Sequence, residues 1–409
     1  MSFESKNREQ LKAEMTAQLG LPEIWNPDYE SLLFSLSEEE LADTSMLTRG
    51  YWEELNGKYE LLAEFAEAVY GAAEEAQTNP LMLAYINLTR HFLTEARKQE
   101  CGVNKAPLPT AGGSKELVDL AGLLALFPLT PLAKADYEKA GFAPEVVDSA
   151  IGSIGGSFVG SSRRLGNPVL DRTYFNWIGH YIECRLVNML GFNWEVRTMP
   201  GQAYYYRNQK TGELKVLMSG SAAVHSSGRI LGSAGCKEEE GSWLPTYEET
   251  ETAYIGFGVS AKGLVETEKT ELLKADWTLV LKPGDKIVGL HIPKKADLSR
   301  ENLDQVLPAG LEKMRKANPD KDLKGLFCSS WLFDPQLAEL LGEQSRIVCF
   351  QRMFVRFPEK NNGMGPFTFA FPAHIDLASF EPTTTLQRKL KEHYLSGRFI
   401  YFTGGLYQG

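Results

Sequence analysis

The hydrophobic period of this chain changes once, near Gly191, and that change limits what it can fold into more than any other feature. Upstream, apolar residues recur at the three- and four-residue spacings of helices; downstream they alternate and are punctuated by glycine-containing turns. Leu55, Tyr59, Leu62, Phe65, Ala66 and Val69 form one stripe with glutamates facing away, which predicts a helix covering a core. A second helix is predicted from Leu81 to Ala96, because Pro80 sits where its missing N–H loses no bond. Ser114 is placed to cap a third, with Glu116 in its first turn and Pro128 to stop it. A fourth, Asp171 to Leu190, carries Phe175, Ile178, Ile182 and Met189 on one face. The expectation is a helical domain over 1–190 and a second domain over 191–409.

At 409 residues, two hydrophobic cores are the natural division. The 43% apolar and 23% charged residues exclude disordered and fibrous classes. A net charge of −10 repels nucleic acid and anionic membranes, so neither is expected as a partner. An anionic ligand would need a local basic cluster. The opening MSFESKNREQLK has no apolar h-region, and the longest apolar run, near Leu120 to Leu129, contains Pro128 and is shorter than a bilayer requires. A cytoplasmic location is therefore expected. Cys101, Cys184, Cys236, Cys328 and Cys349 lie far apart with no CxxC pair, which predicts reduced thiols rather than a disulfide framework or a thiolate zinc site.

Beyond Gly191, Ala203–Asn208 and Glu213–Met218 flank a glycine-containing loop and predict a hairpin. Trp277–Lys282 and Lys286–Ile292 predict another around Pro283-Gly284-Asp285, where proline presets φ and glycine supplies φ > 0. The acidic stretch Glu238–Glu251 reads as an exposed loop leading to a strand over Ala253–Val259. Strands and helices then alternate: a strand ends at His291-Ile292-Pro293, Ser299 is placed to cap a helix, and Leu326-Phe327-Cys328 opens the next strand. A short helix Pro335–Leu341 and a strand Arg346–Phe354 complete a β-α-β-α-β order. Pro308 and Gly310 predict a kink or break in the helix that follows Ser299. The fold class expected is α+β, a helical domain followed by a mixed sheet with flanking helices.

Several of these residues carry a resemblance. Tyr254-x-Gly256, Gly263-x-Val265, Trp277-x-x-Val280-Leu281-x-Pro283-Gly284-Asp285, His291-Ile292-Pro293, Ser330 to Leu337 and Phe350-Gln351-Arg352-Met353-Phe354 resemble, in order, stretches of bacterial acyltransferase domain-containing proteins. Tyr137-Glu138-Lys139-x-Gly141 and Leu190-Gly191-Phe192 are similar to their helical portion. The resemblance implies a helical N-acyltransferase domain joined to a GNAT-like C-terminal domain. It further implies acyl-CoA as co-substrate and a small-molecule amine as acceptor. GNAT folds hold acyl-CoA between two parallel strands that splay apart, with a pyrophosphate-binding turn between the first strand and a helix. The corresponding residues here are Ile292, Pro293, Lys294, Lys295 and Ser299. The turn Lys294–Leu298 departs from the family pattern because it has no glycine to let backbone N–H groups crowd a phosphate. Its two lysines either attract phosphate beside a helix N-terminus or are simply solvated.

His291 is the candidate general base, against a histidine that only shapes the turn before Pro293. Ser330 is a candidate acid or positioning hydroxyl and Cys328 a candidate nucleophile, against a buried inert thiol. His180 and Cys184 have helical metal-ligand spacing without a second ligand pair, so no metal site is expected. Gly152-x-x-Gly155-Gly156 follows no strand and reads as a closely packed or flexible helix rather than a phosphate loop. Two functions remain open on these residues: an acyl-CoA-dependent N-acyltransferase, or a GNAT-derived ligand-binding or regulatory module without activity. A carbohydrate-active protein is a third reading, suggested only by the aromatics and carboxylates of residues 243–277.

Overall fold

The structure, a computed structural model, describes residues 7–409 apart from 101, 202, 239, 373 and 374. Cys101 and one residue of the acidic stretch thus lie outside the described residues. The chain divides into two compact units, Met1–Asn188 and Met189–Gly409.

The first unit is helical until β1 (Leu186–Met189), the strand with which the chain passes into the second. Its central helix, Pro80–Ala96, starts with Pro80 and is capped by Asn79, whose side chain accepts from the Met82 N–H at 3.1 Å. Ser114 caps Lys115–Leu126 in the same way, through the Leu117 N–H. Helical turns then continue through Pro128 to Lys139, a run long and apolar enough by composition to cross a membrane, contrary to the reading of Leu120–Leu129 alone. Of its most apolar window 72% is buried, which suits a core helix.

Two helices differ from expectation. The stripe from Leu55 to Val69 belongs to two helices, Arg49–Tyr59 and Ala66–Gln77, because Glu60 and Ala63 take left-handed backbone (φ 52° and 45°) between them. The Asp171-capped helix stops at Ile182 rather than Leu190, where Cys184 turns left-handed (φ 53°) and β1 begins. That stop removes the helical spacing of His180 and Cys184. Gly155 lies within the helix Pro144–Leu165, where an added Cβ would sit 2.6 Å from the Leu61 Cα; close helix packing, not phosphate, accounts for it.

The second unit is built from β2 (Phe192–Thr198), β3 (Ala203–Asn208), β4 (Leu214–Met218), β5 (Tyr247–Glu249), β6 (Ala253–Val259) and β7 (Val265–Leu273). It continues with β8 (Trp277–Leu281), β9 (Lys286–His291), β10 (Leu326–Ser330), β11 (Phe354–Pro358) and β12 (Thr403–Tyr407). One sheet has the order β5-β6-β4-β3-β8 with β7 also on β6, and the other runs β2-β9-β10-β12-β11. Within the latter only β9 and β10 are parallel; the remaining neighbours are antiparallel. The two sheets meet at an apolar core of Tyr205, Val216, Leu281, Ile287, Phe327, Phe357 and Leu406. The fold is α+β.

The β3–β4 hairpin forms with Ala203 opposite Met218. Pro283-Gly284-Asp285 does not close a hairpin, however. Gly284 turns at φ 90° and the Asp285 carboxylate accepts from the Lys282 N–H at 2.9 Å, but β8 pairs with β3 while β9 pairs with β2 and β10. The tripeptide is a corner between sheets, and a local turn signal cannot tell the two apart. Arg346–Phe354 is likewise not one strand: Ser345 caps a helix over Arg346–Gln351, and the strand begins only at Phe354.

The helix Arg300–Ala317 runs through Pro308 without a break. Its buried face of Leu303, Leu307, Gly310 and Met314 explains why. At Gly310 an added Cβ would lie 2.1 Å from the Trp194 ring, so the missing side chain lets the helix approach β2. Gly310→Ala is expected to destabilise by about 1–3 kcal/mol through overpacking. In an unconstrained helix the same change gains roughly 0.5–1 kcal/mol. Urea midpoints of the two proteins give the sign.

Candidate active site

In the sheet that carries β9 and β10, the ladder between these two strands is shorter than those on either side of it. β9 stays paired with β2 up to His291, opposite Asn193, and β10 stays paired with β12 up to Ser330, opposite Thr403. Between β9 and β10 the register contains only Leu326 opposite Val288 and Phe327 opposite Gly289. Beyond these two the seam has no further rung: the Leu290 carbonyl on β9 and the Ser329 peptide groups on β10 are the next to face it. An amide-bearing ligand lying there could pair with the Ser329 N–H and the Leu290 carbonyl.

Register also decides which side chains share this opening, since opposed residues lie on one face and neighbours along a strand alternate. Gly289 is opposite both Glu195 and Phe327, so His291, Asn193, Glu195, Arg197 and Ser329 belong to the face that packs on the second sheet. Cys328 and Ser330 lie on the reverse face with Leu290. The sequence pairing of His291 with Ser330 and Cys328 is corrected accordingly. Ser330 is 8% exposed, and its hydroxyl accepts from the Leu332 N–H at 3.1 Å, capping the turn that follows β10. Cys328 is 1% exposed, and burial pushes its thiol above the ordinary range, with the Glu359 charge adding to the effect. That thiol is a packing group.

Two acid-bearing pairs occupy the polar face where the inter-sheet core ends. His291 Nε2 lies 2.8 Å from Glu195 Oε2, with the carboxylate almost fully buried and the imidazole partly exposed. Such a carboxylate fixes ring orientation and tautomer. Ser329 Oγ donates to Glu359 Oε2. Burial raises the Glu359 carboxyl above its usual range, opposed by the Ser329 bond and the positive charge of Arg197. The Arg197 side chain passes over Gly289, where an added Cβ would meet its Cδ at 2.7 Å. Among the described residues it makes no ion pair or hydrogen bond. A base, a hydroxyl backed by a carboxyl, and a cation thus share the face beside the open seam.

The turn after β9 is less suited to phosphate than its lysines suggest. Ile292 and Pro293 are half-buried, and Lys294 and Lys295 are exposed. Ser299 stands at the start of the helix, but its hydroxyl does not cap it. Instead the Asp297 carboxylate accepts from the Ser299 N–H and Oγ, both at 2.9 Å. Those bonds hold the Asp297 carboxyl below its ordinary range, so a negative charge already stands at this helix terminus.

Of the residues on the active face, sequence reasoning singled out His291 and placed Ser329 only within the strand end Cys328 to Ser330, preferring its neighbours. Glu195 and Arg197 had a readable signal in the strand Phe-Asn-Trp-Glu-Val-Arg-Thr, where polar residues alternate with apolar ones. Glu359 had none, because the sequence pattern reads the helix Arg346–Gln351 as the strand, which leaves β11 and the residue after it unassigned.

Residues 211–407 match the family model of the GNAT-like C-terminal domain. The second unit is therefore a GNAT-like domain. In fold the chain is similar to an acyltransferase solved in complex with decanoyl-CoA and teicoplanin, with TM-score 0.62, 15% identity, and 98% of this chain and 99% of that one covered. It is also similar, with TM-score 0.61, 14% identity and the same coverage of 98% and 99%, to an acyltransferase in complex with CoA and 10C-teicoplanin. No curated protein matches its sequence.

Proposed function

We propose that this protein transfers an acyl group from acyl-CoA to an amine of a small-molecule acceptor, with the thioester held in the open seam between β9 and β10. The interrupted β9–β10 ladder is the observation that carries this reading: past Gly289 and Phe327 it leaves the Leu290 carbonyl and the Ser329 peptide groups where a pantetheine arm, itself an amide chain, can pair. His291, oriented by Glu195, takes the proton from the attacking amine nitrogen. The nitrogen–carbon bond forms, the carbon–sulfur bond breaks, and the departing thiolate receives a proton through Ser329 and the Glu359 carboxyl. Arg197 is the cation on this face, available to the oxyanion that develops on the carbonyl. The products are an amide and free CoA, and no external oxidant or base is consumed. Thiol release from decanoyl-CoA with a panel of primary amines tests this: release dependent on an amine supports it, and an absence of release with every amine counts against it.

Asp297 favours a second reading, a module that binds a ligand without catalysis, because its carboxylate occupies the helix terminus that ordinarily receives pyrophosphate. Calorimetric titration with CoA separates the two. If the turn holds the phosphates, Lys294→Ala with Lys295→Ala weakens binding roughly three- to thirtyfold and flattens its salt dependence. Asp297→Asn tightens it about two- to fivefold. Unchanged affinity in both variants would move the phosphates elsewhere.

A further inference from the structure

On the reverse face of the same sheet, away from His291 and Ser329, a cavity of about 280 Å³ is enclosed by the helices Gln336–Leu341 and Arg346–Gln351, the end of β11 and the turn before β7. Arg356 lies in its wall and is only 9% exposed. Its guanidinium donates to the Phe333 carbonyl and Gln351 Oε1, both at 3.0 Å, and to the Ala261 carbonyl at 2.7 Å. All of these acceptors are neutral. Arg356 Nε has no acceptor, and among the described residues no carboxylate lies within ion-pair distance of the group. A cation taken out of water without an ion-pair partner is costly, and burial lowers the Arg356 pKa to about 10, opposed by the more distant Asp334 charge.

The rest of the lining points the same way. Arg229, Lys262 and Arg352 also face the cavity, together with the amides Gln336 and Gln351. Two carboxylates, Glu339 and Glu343, line it as well, and a third, Asp334, stands behind Arg229 at 3.4 Å. Glu343 is neutralised by Arg352, and Asp334 is held by the Tyr401 N–H at 2.6 Å and by Gln336. Arg229 is fixed in place over the Tyr401 ring, 3.9 Å from its centroid. Four basic groups against three acids leave this wall one positive charge in excess, with Arg356 lacking an ion-pair partner. We propose that this cavity is a binding site for a small oxyanion, the phosphate or carboxylate group of a metabolite, separate from the acyl-transfer face and independent of the function proposed for it.

The volume admits a small anion or a single head group rather than a whole cofactor. The full-length protein would be titrated calorimetrically with inorganic phosphate and, separately, with acetate, in low-salt chloride buffer. Saturable binding of either probe is expected, phosphate alone marking a phosphorylated ligand and acetate alone a carboxylate. Arg356→Gln should abolish it. Because that variant also loses three internal hydrogen bonds, Lys262→Ala with Arg352→Ala at the exposed rim is the companion, expected to weaken binding at least tenfold in a folded protein. No saturable binding by the unaltered protein would overturn the proposal. So would binding that survives the rim variant and disappears in the Lys294→Ala, Lys295→Ala variant.

Discussion

His291→Gln is expected to lower amine-dependent thiol release by about a hundredfold to ten-thousandfold while leaving CoA affinity close to that of the unaltered protein, the range typical for loss of a general base. The separation of the two effects matters more than the size of either. His291 lies on a strand end with its imidazole partly exposed and bound to Glu195, so glutamine can fill the position and keep one hydrogen bond without accepting a proton at neutral pH. Glu195→Gln should fall between the two proteins, because it disturbs tautomer and orientation and leaves the imidazole in place. It should also change the pH profile of turnover, which a purely structural carboxylate would not. Turnover of His291→Gln within a few-fold of normal would remove His291 from the chemistry.

Glu359→Gln is expected to slow turnover by about a hundredfold, the lower end of the same range, and yet to give a protein at least as stable above neutral pH. The stability half follows from the sign of the pKa shift. Burial raises the Glu359 carboxyl in the folded protein, so the folded state keeps a proton that the unfolded chain has already released. The contribution of this group is complete below the ordinary carboxylate range and declines as pH climbs through the raised folded value. Glutamine has no proton to lose and can still accept from Ser329. Urea midpoints measured at pH 5 and pH 8 should therefore fall less with pH in the variant than in the parent protein. An unchanged pH slope with unchanged turnover would make Glu359 an ordinary structural acid. Slow turnover with a normal pH slope would leave its role to hydrogen bonding alone.

Most of the architecture was legible because it rests on local signals. Asn79, Ser114 and Asp171 cap helices through their own side chains, and the β3–β4 hairpin is written in its turn. The errors came where distant residues decide. Pro283-Gly284-Asp285 has the chemistry of a hairpin turn, and only the partners of β8 and β9, contributed by β3, β2 and β10, make it a corner. The apolar run of Arg346–Phe354 satisfies a strand or a helix until Ser345 caps it. For the site, side chains alternate along β10 so that Ser329 faces away from Cys328 and Ser330, but which of the two faces meets His291 depends on register across the seam. Gly289 opposite Phe327 sets that register, and no pattern within either strand contains it.

Acyl-CoA binding in the seam is tested most directly by a crystal structure of the protein with a non-hydrolysable thioether analogue of decanoyl-CoA. The pantetheine amides should pair with the Leu290 carbonyl on β9 and the Ser329 backbone on β10. The sulfur should lie on the face of His291 and Ser329, and the phosphates near Lys294 and Lys295. A structure in which β9 and β10 remain unoccupied while the analogue binds elsewhere, or in which no analogue binds at saturating concentration, would contradict the assignment of this seam as the acyl-donor site.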